Sequence, residues 1–138
     1  HHTYTKDSWG KFSDYEYDLY MNSSQMTQHI NRMINNLSFF SKYIDIKNEQ
    51  NILDIGAGIG LLEFAIKKAN SALANCNLVL LEPVGEMCSV LKKKYSDYIV
   101  LNANLNQIKD PTPMFDVIFC QGVDYLFGYI LGAFQTLQ

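Results

Sequence analysis

The ten residues Asn51-Ile52-Leu53-Asp54-Ile55-Gly56-Ala57-Gly58-Ile59-Gly60 constrain this chain more than any other stretch. Ile52, Leu53 and Ile55 make the short apolar run of a strand buried on both faces. Gly56, Gly58 and Gly60 then alternate, and a helical pattern starts at once with Leu61, Leu62, Glu63, Phe64, Ala65 and Ile66. A strand that turns through glycines into a helix aims backbone N–H groups into a crevice. A Cβ in that turn would hinder both the bend and the close approach of a ligand.

Spacing separates the nucleotide-binding families that use such a turn. A dinucleotide site reads G-x-G-x-x-G, which would place its third glycine at position 61, where Leu61 stands. The spacing here is G-x-G-x-G, with Asp54 two residues before the first glycine. That arrangement closely resembles the first motif of the class I methyltransferases that use S-adenosylmethionine (SAM). The resemblance implies an α/β fold, a Rossmann-like doubly wound and mostly parallel sheet with helices on both faces. It also implies that Gly56, Ala57, Gly58 and Gly60 pack against the methionine part of SAM, with Asp54 near the ligand's amino group. The chemistry agrees, because SAM carries an ammonium and a sulfonium but no phosphate. A nicotinamide-dependent oxidoreductase is the reading that the glycine spacing counts against.

The chain as a whole narrows the alternatives. Its 138 residues fit one domain. No apolar run approaches the roughly 20 residues of a membrane span, and a formal net charge of -3 gives no electrostatic case for nucleic acid. Cys76, Cys88 and Cys120 show no C-x-x-C spacing and are odd in number. They read as reduced, mostly buried thiols of a cytoplasmic protein, with neither a disulfide framework nor a metal site. Residues 1–2, both histidine, look like a tag remnant, which leaves His29 as the histidine of interest.

Residues 3–50 are expected to precede the core as an aromatic arm or lid and an amphipathic helix, with the SAM-binding core over 51–138. Tyr4, Trp9, Phe12, Tyr15, Tyr17 and Tyr20 mix with Asp7, Asp14, Glu16 and Asp18 in neither a clean strand nor a clean helix pattern. The segment looks like the one that closes over SAM and the acceptor in many small-molecule methyltransferases. A surface arm docking its rings on the core is the plain alternative. Ser23 or Ser24 can cap a helix running to about residue 43, with Met26, Ile30, Met33, Leu37 and Phe40 in one apolar stripe. His29 lies beside that stripe.

After the glycine turn, a helix over 60–69 and a loop over 70–77 lead to Leu78, Val79, Leu80 and Leu81, a second buried strand that ends in Glu82 and is stopped by Pro83. Glu82 falls about twenty residues beyond the turn, where doubly wound folds place a carboxylate on the ribose hydroxyls. An ionised carboxylate accepts both hydrogen bonds of a vicinal diol. A helix over 85–95 ends in Lys92, Lys93 and Lys94, read as a solvated last turn. A third strand over 98–101 then runs into Asn102, Ala103, Asn104 and Leu105. The resembled family usually has an aspartate at Asn104's place, touching the adenine amino group, and an asparagine carbonyl can accept the same bond. Leu105 and Pro83 are carried along as cofactor contacts. Pro111 and Pro113 punctuate a loop before a fourth strand over 115–120, and Gln121, Asp124 and Tyr125 stand at its carboxyl end, where open α/β sheets bind ligands. A last helix is expected over 123–137.

The resemblance covers 51–127 and stops before the family's fifth strand and closing hairpin. The sheet is therefore expected to be truncated after the fourth strand and its helix, with an apolar edge suited to a second copy or a partner chain. The implied function is transfer of the SAM methyl to a small-molecule acceptor (O, N or C), leaving S-adenosylhomocysteine (SAH). The protein would mainly supply alignment and exclusion of water. Tyr17, His29, Asp124 and Tyr125 are the candidates for a general base, should the acceptor need one. The Asn/Asp-Pro-Pro-Tyr signature of adenine and glutamine methylation does not follow the fourth strand, where Cys120, Gln121, Gly122 and Val123 stand. The alternative is a non-catalytic SAM-binding or scaffold domain.

Overall fold

The structure, a computed structural model, describes residues 13–108 and 114–120. Its centre is β1 (Asn51–Ile55), the strand drawn from the apolar run. β2 (Asn77–Leu81) pairs with it in parallel on one side, and β3 (Ile99–Leu101) adds beyond β2. β4 (Val117–Phe119) pairs with the other side of β1, also in parallel, which gives the order β3-β2-β1-β4. The strand order therefore reverses between β1 and β4. In open α/β sheets that reversal opens a crevice at the strands' carboxyl ends.

Residues alternate across the sheet, so each strand serves two faces. Ile52, Leu78, Leu80 and Phe119 belong to the larger core, together with buried residues of every described α-helix. These helices are α1 (Asp14–Met21), α2 (Ser24–Ser41), α3 (Leu61–Lys68) and α4 (Gly85–Lys94). Leu53, Ile55 and Leu81 point the other way, into a second core closed by Leu105, Ile108 and Phe115. Asp54 shares the face of Ile52, beneath the helices.

The periodic segments fall close to where the sequence places them. α2 buries Ile30, Met33 and Leu37, the centre of the expected stripe. Ser23 precedes it with extended backbone, but its hydroxyl donates to the Tyr20 carbonyl at 2.6 Å and does not cap the helix. Two segments are more regular than the sequence suggests. Residues 14–21, read as irregular, are helical because Ser13 accepts the Glu16 amide as an N-cap and Asp14 and Glu16 suit the helix's positive end. Within the expected loop over 70–77, Ser71 likewise accepts the Leu73 amide and starts the 3₁₀ turn Ala72–Asn75.

Polar contacts fix the strand ends. Asp116 Oδ2 accepts the Asn51 amide at 2.8 Å, while the Asp116 amide donates to the Asn51 carbonyl, so β4 is registered on β1 at the end remote from the glycine turn. The lysine-rich end of α4 is less free than expected, because Lys94 pairs with Asp18 at 2.7 Å and ties α4 to α1. Cys76 and Cys88 are buried as expected, whereas Cys120 is exposed, and all three are free thiols. No described helix is long and apolar enough to cross a membrane. No group of three or more metal-ligating side chains forms among the described residues.

Candidate active site

The glycine turn is held from three sides. From β2, the Leu81 carbonyl accepts the amides of Gly56 and Ala57 at 2.8 and 3.1 Å. Gly56, Gly58 and Gly60 all take positive φ (70°, 61° and 94°), a region that an L side chain enters only at a cost. At Gly60 packing adds a second reason, since a Cβ there would lie 2.6 Å from a ring carbon of Tyr95. At Gly58 a Cβ would meet nothing within 4 Å. At Gly60, backbone conformation and the rings beneath it both call for glycine.

Those rings form the second support. Tyr17 is buried, and its hydroxyl lies 2.7 Å from that of Tyr95 and donates to the Ile59 carbonyl at 2.8 Å. The two rings meet edge to face, 6.0 Å apart. Burial pushes both phenols well above the usual tyrosine range, so they stay protonated as donors. Tyr17, expected in a lid or as a base, instead underpins the glycine turn from α1.

Glu82 is the third support. Its side chain is buried, with Oε1 accepting the Gly58 amide and Oε2 accepting the Val84 amide, each at 2.8 Å. One carboxylate therefore joins the first turn to the second. Asn102 completes the second turn by donating to the carbonyls of Glu82 and Pro83, both at 3.1 Å. Pro83 itself is exposed. Asn104 is exposed and its amide donates to Gln107 Oε1 at 2.7 Å, while Leu105 is buried in the second core. Gln121, Asp124 and Tyr125 lie outside the described residues.

On the other side of the turn lies a cavity of about 440 Å³. Asp54 and the loop residues Gly56, Ala57 and Gly58 form its floor, and α2 contributes Met33, His29 and Arg32. Tyr20 and Met87 also reach it, but Tyr17 does not. The structure thus brings His29 to the same cavity as Asp54. Arg32 was not singled out from the sequence. Its signal was its place one turn after His29 on the same helix face.

Asp54 is only 3% exposed, and its Oδ2 has no hydrogen-bond partner of standard geometry among the described residues. Burial pushes its carboxyl up to about 6, the like charge of Glu82 adds to this, and a hydrogen bond with Glu63 works against it. Glu63, fully buried on the underside of α3, was passed over as part of a helical pattern. Its carboxyl is raised well above the usual range, first by burial and then by Asp54.

No protein-family model matches the chain, and no curated protein does. Solved structures do. The plantazolicin methyltransferase BpumL, crystallised with SAH, superposes with a TM-score of 0.52 at 22% identity over 82% of this chain. This is the class I methyltransferase fold. The chain spans 43% of the length of that enzyme. A SAM-dependent methyltransferase from Leishmania major matches with a TM-score of 0.47 at 19% identity, over 77% of this chain and 42% of its own.

Proposed function

We propose that this chain binds SAM at the carboxyl ends of β1 and β2 and serves methyl transfer to a small-molecule acceptor. The observation that carries the reading is the buried Asp54 carboxyl on the floor of the cavity, with an oxygen that no described group satisfies. A buried acceptor without a donor is costly, and an ammonium group on a ligand is a fitting donor. Arg32, on the α2 wall of the same cavity, suits the carboxylate of the same amino-acid head. Glu82 already accepts two amides, yet each carboxylate oxygen has a second lone pair that a ribose hydroxyl can use.

When bound, SAM supplies a methyl group on a sulfonium, open to in-line displacement by an acceptor. This chain's residues hold and shield the reactants: Met26, Met33 and Met87 give the cavity apolar, polarisable walls, and Tyr20 and His29 stand at its border. His29 is the one of the four base candidates that both lies among the described residues and lines the cavity. The small-molecule class of the acceptor rests on the absent Asn/Asp-Pro-Pro-Tyr signature after the fourth strand.

The test is incubation with isotopically labelled SAM and a panel of hydroxyl, amine and activated-carbon acceptors. Transfer to any of them, lost in Asp54→Asn, supports the enzyme. SAH binding without transfer to any acceptor moves the chain to the non-catalytic SAM-binding domain. NADH fluorescence that changes on titration, with no response to SAH, would sink both.

A further inference from the structure

Asp54 and Glu63 stand carboxyl to carboxyl, one from the sheet and one from the first turn of α3, within hydrogen-bonding reach of each other. Neither Glu63 oxygen, nor Asp54 Oδ2, makes a hydrogen bond of standard geometry with any donor of another described residue. The two described ion pairs, Lys67 with Asp97 and Lys94 with Asp18, leave this pair alone. Two carboxylates buried in this way cannot both be ionised, and a bond between them needs a proton. An acid in the first turn of a helix usually serves the helix dipole from the surface, but Glu63 is 0% exposed.

We propose that Glu63 is a positioning residue for Asp54: the two carboxyls share one proton, and the pair gives it up to solvent when Asp54 takes a ligand's ammonium. The inference rests on the SAM reading above and adds how the amino-acid head is received. Holding the proton keeps the ligand-free pair at one negative charge, beside Glu82 at the end of β2 and Arg32 and His29 on the α2 wall of the same cavity, and fixes the Asp54 carboxyl against Glu63. Exchange of the proton for an ammonium leaves the summed charge at the pair unchanged, because one positive charge replaces another.

Other titratable groups nearby do not replace this proton. Glu82 adds negative charge from the end of β2. Tyr17 on α1, Tyr95 after α4, Tyr98 before β3 and Cys120 after β4 are all pushed further towards their neutral forms, burial first, with Glu63 or Asp54 contributing. The phenols of Tyr17 and Tyr95 bond each other and the loop carbonyls. The amide of Glu63 itself lies beside its carboxyl and offsets only part of the burial.

Two measurements on the 138-residue chain test this. Carboxyl-carbon NMR of the ligand-free protein should show Asp54 and Glu63 together retaining one proton near neutral pH, with Asp54 ionised there in Glu63→Gln. Calorimetric titration with SAH near pH 6.5, in buffers of different ionisation enthalpy, should show close to one proton released per SAH bound by the wild type. Glu63→Gln should release none. SAH binding by the wild type without proton release overturns the proposal and leaves the SAM reading standing. A shared proton with no SAH binding at any pH overturns the SAM reading and the ligand-driven release with it. The wild-type arms need no variant, and Glu63→Thr, which is smaller and neutral, repeats the comparison if Glu63→Gln folds poorly.

Discussion

Glu82 Oε1 accepts the amide of Gly58 at 2.8 Å, so the acid at the end of β2 holds the loop that leaves β1. The residue expected to read a ribose is thus also a structural tie. Glu82→Ala should abolish SAH binding and also lower stability by about 1–3 kcal/mol, because two buried amides lose their acceptor. Glu82→Gln keeps one acceptor oxygen and should lose affinity with a smaller loss of stability. Thermal melts beside titrations of both variants separate the two roles. Equal stability of Glu82→Ala and wild type would contradict the tie.

The Tyr17 and Tyr95 hydroxyls beneath Gly60 bond each other and the carbonyls of the loop. Tyr17→Phe leaves the Ile59 carbonyl and the Tyr95 hydroxyl short of a partner, which should cost about 1–3 kcal/mol. The melting temperature should fall by about 5 °C or more. In the presence of saturating SAM, any transferase rate should drop by much less than removal of a general base would cause, about 10²–10⁴-fold.

Gly58 and Gly60 differ in what a methyl group would meet. Both need positive φ, so either alanine substitution carries about 1–2 kcal/mol of backbone strain. Gly60→Ala additionally drives a methyl into Tyr95 and should destabilise the fold more than Gly58→Ala. Chemical denaturation of the pair checks the order, and the reverse order would discredit the packing beneath Gly60.

The Asp54–Glu63 pair makes a definite pH dependence. Both carboxyls are raised in the folded state, so the native chain holds more protons than the unfolded one above the ordinary carboxylate range. Stability from this pair is therefore greatest in acid and falls as pH rises, from about 4 through about 6 for Asp54 and further for Glu63. Urea titrations from pH 5 to 8 should show a steeper decline for the wild type than for Glu63→Gln. A parallel decline would mean that the pair does not hold the proton.

Much of this architecture was legible in the sequence because local signals agreed. The apolar run ending at Ile55, the alternating glycines and the stripe through Ile30, Met33 and Leu37 each specify one element, and each appears. The places of Asp54 in β1 and of Glu82 just after β2 were legible through spacing. Tyr17 was misplaced because its partners, Ile59 and Tyr95, are distant in sequence, and no local pattern encodes their meeting. The helix around it was missed because its pattern is weakly amphipathic and its cap, Ser13, lies among scattered aromatic and acidic residues. Glu63 and Arg32 needed three dimensions: one is an acid on the inner face of a helix, the other a cation whose meaning comes from the cavity it borders.

The most direct test of the account is calorimetric titration of the chain with SAH, with Asp54→Asn alongside. The account predicts binding that Asp54→Asn weakens by about 1.5–3 kcal/mol, the range for a hydrogen bond to a charged group. SAH that gives no binding signal with a chain that melts cooperatively, or that binds Asp54→Asn as tightly as the wild type, would contradict it.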